Sequence, residues 1–149
     1  MDNMVFKMHT DRNMLLNIIS KEKDTEIRLM DTKRQKMRPG DTIIFVASDW
    51  CDKEGKEKMA SVFVESIHLY YSASDLFSDF SLLECGLERI ASKESAFDRL
   101  IGTHYTQDEL KNSVFMAIKF TLDEDLDDAL ERFREESQHG DMRTVIDLR

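Results

Sequence analysis

Residues 20–45 read SKEKDTEIRLMDTKRQKMRPGDTIIF, and this stretch carries the clearest secondary-structure signals of the chain. Residues 26–31 alternate polar and apolar side chains, which is the period of a half-buried strand. The Pro-Gly-Asp sequence at 39–41 is a turn signal. The run 42–47 that follows is rich in β-branched residues and predicts a second strand.

Helix and strand patterns continue on both sides of this stretch. Asp11 fits the N-cap of a short helix over 13–19, where apolar residues crowd one face. Residues 60–71 and 114–121 predict two more strands, and the apolar spacing in 76–87 predicts a helix. Because the early connections are too short for crossover helices, we predict antiparallel pairing. The expected fold is α+β, a small β-barrel with flanking helices.

The end of the chain has a different charge balance. The formal net charge is −9, of which residues 123–149, with ten acidic and four basic side chains, carry −6. Apolar residues at helical spacing predict an acidic C-terminal helix over 123–139. We therefore predict a domain over 1–122 and an acidic helical extension over 123–149.

Composition narrows the class of protein. The hydrophobic fraction of 41% is that of a globular protein. The start of the chain has no signal-peptide pattern, and no apolar run approaches the ~18–20 residues that span a bilayer. Cys51, Cys85 and the histidines show no metal-ligand spacing. These features predict a cytoplasmic protein with no membrane association, metal or other cofactor.

Charged side chains are placed on one face of the first predicted strand. Glu26 and Arg28 share a face, whereas Ile27 and Leu29 share the opposite one. We expect the apolar pair to face the barrel core. Lys23 precedes the strand and can reach the side of Glu26, so the three charged residues are predicted to line a cleft. The structural alternative is an ion-pair network at the barrel mouth.

A basic stretch follows this predicted cleft. Five cationic side chains within eleven residues are opposed only by Asp31. They are Arg28, Lys33, Arg34, Lys36 and Arg38. Such a patch suits a phosphate or a carboxylate. The alternative is that the loop is a solvated face with no ligand.

These residues resemble the signature of the ASCH domain family, a PUA-like β-barrel module. That family carries a Gly-x-Lys-x-x-Glu-x-Arg motif, and Lys23, Glu26 and Arg28 stand at its charged positions. A basic stretch and a Gly-Asp turn follow the motif here as in the family. A second match begins at Tyr105 with Tyr-Thr-Gln-Asp-Glu-Leu-Lys and leads into the last long strand. The similarity covers roughly residues 4–122.

The resemblance implies an RNA- or nucleotide-binding protein, whose partner is RNA or a modified nucleoside or nucleotide. Lys23, Glu26, Arg28 and the loop cations would line the cleft, and Tyr105 or Tyr71 would offer a stacking face. A second hypothesis is a small hydrolase, because one branch of the family hydrolyses N4-acylated cytidine with a lysine and a threonine and another is ribonuclease-like. The candidate catalytic residues are then Lys23, Glu26 and Tyr105. Whether the chain is an enzyme stays open.

The chain departs from the family pattern in two regions. Lys21 replaces the motif glycine, which costs little at negative φ but ~1 kcal/mol or more in a left-handed turn. The acidic extension lies outside the resemblance. It supports a third hypothesis, a regulatory protein whose acidic helix docks a protein partner or a second copy, or covers the basic cleft.

Overall fold

The structure is a computed structural model that describes residues 3–87, 114–123 and 145–148. Its elements are β1 (Val5–Thr10), α1 (Arg12–Ile19), β2 (Thr25–Leu29), a 3-10 turn (Arg34–Lys36), β3 (Thr42–Cys51), β4 (Glu57–Tyr70), α2 (Ala73–Asp79), β5 (Phe115–Leu122) and β6 (Val145–Leu148). The predicted α+β class is confirmed. Beyond Asp123, the predicted acidic helix lies outside the described residues.

The strands of the described residues form a mixed sheet in the order β2-β5-β4-β3-β1-β6. Pairing is antiparallel between β2 and β5, β5 and β4, and β4 and β3, but β1 runs parallel to both of its neighbours. The sheet curves into a half-barrel. As a result, Arg28 Nη2 of edge strand β2 donates a hydrogen bond of 3.1 Å to the carbonyl of His9 in β1, although three strands separate them in the sheet.

Strand β1 and its parallel pairing were missed by the sequence patterns. Val5 pairs with Thr42 and Thr10 with Ala47, so β1 lies beside β3 along its whole length. The chain between these strands contains α1 and β2, which makes the connection long enough for a parallel crossover. The antiparallel prediction considered only the shorter connections. The apolar stretch Val145–Leu148 near the end of the chain forms β6 beside β1.

Local signals place the helices. Asp11 is the N-cap of α1, as predicted, and its Oδ1 accepts a hydrogen bond of 2.8 Å from the backbone N–H of Met14. Helix α2 is shorter than the predicted 76–87 helix, because the chain turns extended at Phe80. No helix within the described ranges is long and apolar enough to cross a membrane.

Apolar side chains form one packed layer on each face of the sheet. The inside of the half-barrel is packed with residues of the strands and of α1, including Phe6, Leu15, Phe45, Met116 and Ile118. The outer face of β2 and β5 packs against α2 and the segment after it, through Leu76, Phe77, Phe80, Cys85 and Leu87. Both faces of β2 are therefore covered, and all five of its residues are buried.

The prediction that Ile27 and Leu29 face the barrel core is wrong. Both pack in the outer layer beneath α2. The charged pair points inward instead, since Glu26 is the sheet partner of the core residue Ile118 and Arg28 that of Met116. The physical reason is that α2 supplies a second apolar layer, so alternation alone could not tell which face of β2 is interior.

Candidate functional site

Three charged side chains form a buried cluster between β2 and the end of α1. Lys23 Nζ donates to Glu26 Oε1 at 2.7 Å, and Arg28 Nε donates to Glu26 Oε2 at 2.9 Å. The residues are only 4%, 6% and 4% exposed. We call this trio the buried charge cluster. The structure brings Lys23, Glu26 and Arg28 together, as the sequence predicts. The three side chains are much more buried than the alternative of an ion-pair network at the barrel mouth implies.

The electrostatics of the cluster are set by Glu26. Burial by itself would raise the pKa of this carboxyl, but the charges of Lys23 and Arg28 and their hydrogen bonds outweigh burial and lower the pKa to about 2. Glu26 is therefore ionised at any physiological pH. One carboxylate faces two cations, so the three side chains carry a formal charge of +1.

Neighbouring groups hold Lys23 in place. Its backbone N–H donates to the carbonyl of Asn17 at 2.9 Å, and its Nζ lies 3.6 Å from Met14 Sδ. The aliphatic part of its side chain passes beneath Gly86, whose φ is +75°. The carbonyl of Glu84 accepts from the backbone N–H groups of both Asp24 and Thr25 at 3.0 Å. The segment after α2 therefore covers the cluster and fixes the lysine.

A pocket of about 220 Å³ opens beside the cluster at the turn between α1 and β2. Its charged lining comprises Lys21, Lys23, Asp24 and Glu65, and Ile18, Phe120, Thr121 and Leu122 complete the wall. We call it the α1–β2 pocket. Glu65 occupies a bulge in β4, where the register shifts between Val64 and Ser66. Bulges of this kind re-aim a side chain and are common beside functional sites.

Lys21 adopts the left-handed conformation at this pocket. Its φ is +69°, although it is not a glycine. The family that the sequence resembles has glycine at this position. A side chain with a Cβ is disfavoured there by roughly 1–2 kcal/mol. Strained residues of this kind cluster at binding sites, where the surrounding structure maintains them. The strain and the pocket together make Lys21 a candidate binding residue, a role that the sequence motif alone did not assign.

We predict that Lys21→Gly stabilises the fold by about 0.5–1 kcal/mol relative to Lys21→Ala, because only glycine relieves the left-handed turn. Urea unfolding of the two variants measures the difference. Both variants lose the same charge, so both should lose anion affinity equally. Equal unfolding free energies for Gly and Ala would contradict the strain.

The first half of the basic loop is engaged in protein contacts. Arg34 is buried and forms an ion pair with Asp31, whose Oδ1 also accepts from the Arg34 backbone N–H at 2.7 Å. Lys33 is exposed, and its Nζ donates to the carbonyl of Asp147 in β6 at 3.4 Å. These two cations therefore fasten the loop to itself and to β6.

The second half of the loop points to solvent. Lys36 and Arg38 are exposed. The Arg38 backbone N–H donates to Asp41 Oδ2 at 2.8 Å, and Asp41 Oδ1 accepts from Met4 at 2.9 Å, so this part of the loop is tied to the start of β1. Lys23 precedes the first residue of β2 and the loop follows its last, which places them at opposite ends of a five-residue strand, ~15 Å long. The loop cations are not gathered around Lys23 as one patch.

Other candidate residues contribute less to the described site. Tyr105 lies outside the described residues. Tyr71 is 87% exposed at the end of β4 and was the alternative stacking residue. Burial raises the pKa of the Cys85 thiol to about 12, so this neighbour of the cluster is an unreactive thiol. Among the residues that the structure describes, no three His, Cys, Asp or Glu side chains converge as a metal site.

Comparison with solved structures gives two similar folds. The crystal structure of hypothetical protein PH0355 matches with a TM-score of 0.63 and 26% identity, covering 80% of this chain and 99% of that one. The solution NMR structure of protein PF0455 from Pyrococcus furiosus matches with a TM-score of 0.60 and 27% identity, covering 81% and 99%. No protein-family model and no curated protein matches the sequence. These matches support the fold.

Proposed function

We propose that this chain is an RNA- or nucleotide-binding protein of the PUA-like β-barrel type, and that it binds an anionic group in the α1–β2 pocket. The observation that carries the proposal is the placement of two lysines, Lys21 and Lys23, on the wall of one pocket. Lys23 is held there by Glu26, so its position is organised before a ligand arrives. Preorganised cations suit phosphate recognition.

The family resemblance supports the same region, where Lys23 is the one motif residue that lines the pocket and Glu26 and Arg28 lie behind it. The three charged positions of the motif, Lys23, Glu26 and Arg28, meet in one hydrogen-bonded cluster. Residues that were recognised by their spacing are thus also joined in space. This convergence is what a shared binding motif requires, although an ion-pair network that only stabilises the fold would bring the same residues together.

The test is fluorescence anisotropy of a labelled single-stranded RNA, titrated with protein at low and at near-physiological salt. We expect saturable binding that weakens as salt rises, since phosphate contacts release counterions. Lys21→Ala should weaken binding by roughly 3–10-fold at low salt, the effect of one charge-assisted contact.

The matched control is Lys53→Ala. It removes the same charge from the exposed hairpin between β3 and β4 and should leave the affinity unchanged. Lys21 is preferred to Lys23 and Arg28 as the test residue, because replacing a member of the buried charge cluster would also change stability. Absence of binding at low salt would contradict the proposed function.

The hydrolase alternative rests on the carboxylates of the pocket. Asp24 and Glu65 line the same cavity as Lys23, so groups able to exchange protons lie around one ligand space. Against it, the Lys23 ammonium is ion-paired with the Glu26 carboxylate, whereas a lysine that acts as a base must be the neutral amine. Release of the acyl group from N4-acylated cytidine, or cleavage of RNA, would establish this alternative. Unchanged turnover in Lys23→Ala would then exclude Lys23 as its catalytic residue.

The regulatory alternative stays a prediction, since residues 124–139 of the predicted acidic helix lie outside the described residues. A truncation that tests this alternative must keep β6. Cutting the chain after Leu122 would remove β6 as well and expose the edge of β1. The cytoplasmic location likewise stays a prediction.

A further inference from the structure

We propose that Trp50, Arg12 and Lys58 form a stacking platform for an unpaired RNA base, a second contact that no motif of the sequence assigns. The inference rests on the proposed function in one respect, that the ligand is single-stranded RNA. We call these three residues the Trp50 platform.

Two cations lie over the aromatic ring of Trp50 at this surface. Arg12 Cζ lies 5.1 Å and Lys58 Nζ 5.5 Å from the centroid of the Trp50 ring. Both cations are exposed, whereas Trp50 is half-buried and packs against the inner core. The ring is therefore anchored against the core, with the two cations over it at the surface. Bases of single-stranded RNA stack on such rings and on arginine planes, while neighbouring cations contact the phosphates.

The backbone holds the platform in position. The ladder between β3 and β4 is irregular between Ala47 and Cys51, so Trp50 lies in a bulged stretch of β3. Asp49 Oδ1 accepts a hydrogen bond of 2.8 Å from the Arg12 backbone N–H. The hairpin that carries the ring is thus tied to the first residue of α1, so the backbone of Arg12 is held beside the hairpin.

The platform and the α1–β2 pocket lie at the two ends of one helix. Helix α1 begins at Arg12 and is followed by the turn that contains Lys21. Its eight residues span ~12 Å. A short single strand can bridge that distance with a base on Trp50 and a phosphate near Lys21. This shared helix is the reason for assigning RNA to the platform.

The carboxylates near the platform predict how its contribution depends on salt. Asp11 and Asp49 accept hydrogen bonds from backbone N–H groups at this end of α1, and their charge offsets that of the two cations. Attraction over a distance is therefore weak here, and contact by stacking dominates. We expect the salt dependence of RNA binding to come mainly from the pocket, and Trp50 variants to change affinity at every salt concentration alike.

Intrinsic fluorescence gives a direct test, because Trp50 is the only tryptophan of the chain. Titration of the full-length protein with unlabelled oligouridylate should quench the emission along a saturable curve, with the same Kd as anisotropy. Trp50→Leu, which keeps apolar packing but removes the aromatic face, should weaken binding about tenfold, and Trp50→Phe by only about two- to threefold. Arg12→Ala and Lys58→Ala should also weaken binding, whereas Lys56→Ala on the same hairpin is the control that should not.

Three results would overturn the platform. RNA binding by anisotropy with no change in Trp50 emission and full affinity in Trp50→Leu would remove the platform and leave the proposed function standing. Quenching by an acidic peptide but not by oligouridylate would assign the ring to a protein partner instead. No anisotropy change at low salt would contradict the proposed function and, with it, the RNA platform.

Discussion

Replacing Glu26 by glutamine is expected to lower the free energy of unfolding by about 3 kcal/mol or more. The variant leaves Lys23 and Arg28 buried without the carboxylate that accepts a hydrogen bond from each. Breaking a buried ion pair by removing one partner typically costs 3–5 kcal/mol, because an uncompensated charge stays out of water. Chemical denaturation at neutral pH measures the loss.

The matched control is Glu54→Gln. Glu54 lies 3.7 Å from Lys56 in an ion pair whose side chains are 76% and 59% exposed. Exposed pairs contribute ~0–1 kcal/mol, so this substitution should change stability little. Similar losses for the buried and the exposed position would contradict the proposed role of burial.

The same carboxylate predicts a dependence of stability on pH. Its pKa is about 2 in the folded protein, against an ordinary value of 4.5, a difference worth ~3 kcal/mol. Because the folded pKa is the lower one, this stabilisation is fully present above about pH 4.5 and is lost as the pH falls towards 2. The difference in unfolding free energy between the wild type and Glu26→Gln should therefore shrink by roughly half between pH 7 and pH 3. A constant difference would show that folding does not change the pKa of Glu26.

Gly86→Ala is expected to destabilise the protein by about 2–3 kcal/mol, through backbone strain at positive φ and through overpacking. A Cβ at this position would lie 2.8 Å from Lys23 Cδ and 2.9 Å from Met14 Sδ. Met14 Sδ belongs to a flexible, unbranched side chain. Lys23 is less free to move, because its Nζ is held by Glu26 at 2.7 Å. We therefore also expect RNA binding to weaken, since the lysine that lines the pocket is displaced.

Gly55→Ala separates the two causes. Gly55 has a φ of +82°, similar to the +75° of Gly86, but a Cβ there meets nothing within 4 Å. It should cost only the backbone strain, roughly 1 kcal/mol. If the two substitutions cost the same in urea unfolding, the contact with Lys23 contributes nothing and the segment after α2 does not fix the lysine.

Features that depend on near neighbours in the chain were predictable from the sequence. Asp11 caps α1 because a carboxylate before a helical pattern can accept from the N–H three residues on. Glu26 and Arg28 share a face because strand side chains alternate. Lys23 reaches Glu26 because it lies three residues away across a tight turn. These relations follow from backbone geometry and from hydrogen bonds between residues close in sequence, so a sequence pattern can predict them.

Features that depend on a second layer or a distant strand were decided by the tertiary structure. The inward direction of Glu26 and Arg28 follows from the packing of α2 on the outer face of β2, and alternation has no information about which face is covered. The approach of Gly86 to Lys23 and of Arg12 to Trp50 joins residues far apart in sequence. The sequence by itself therefore determined which charged residues share one strand face. The tertiary structure decided that they are buried and where a ligand can reach them, because burial is set by whatever packs across the sheet.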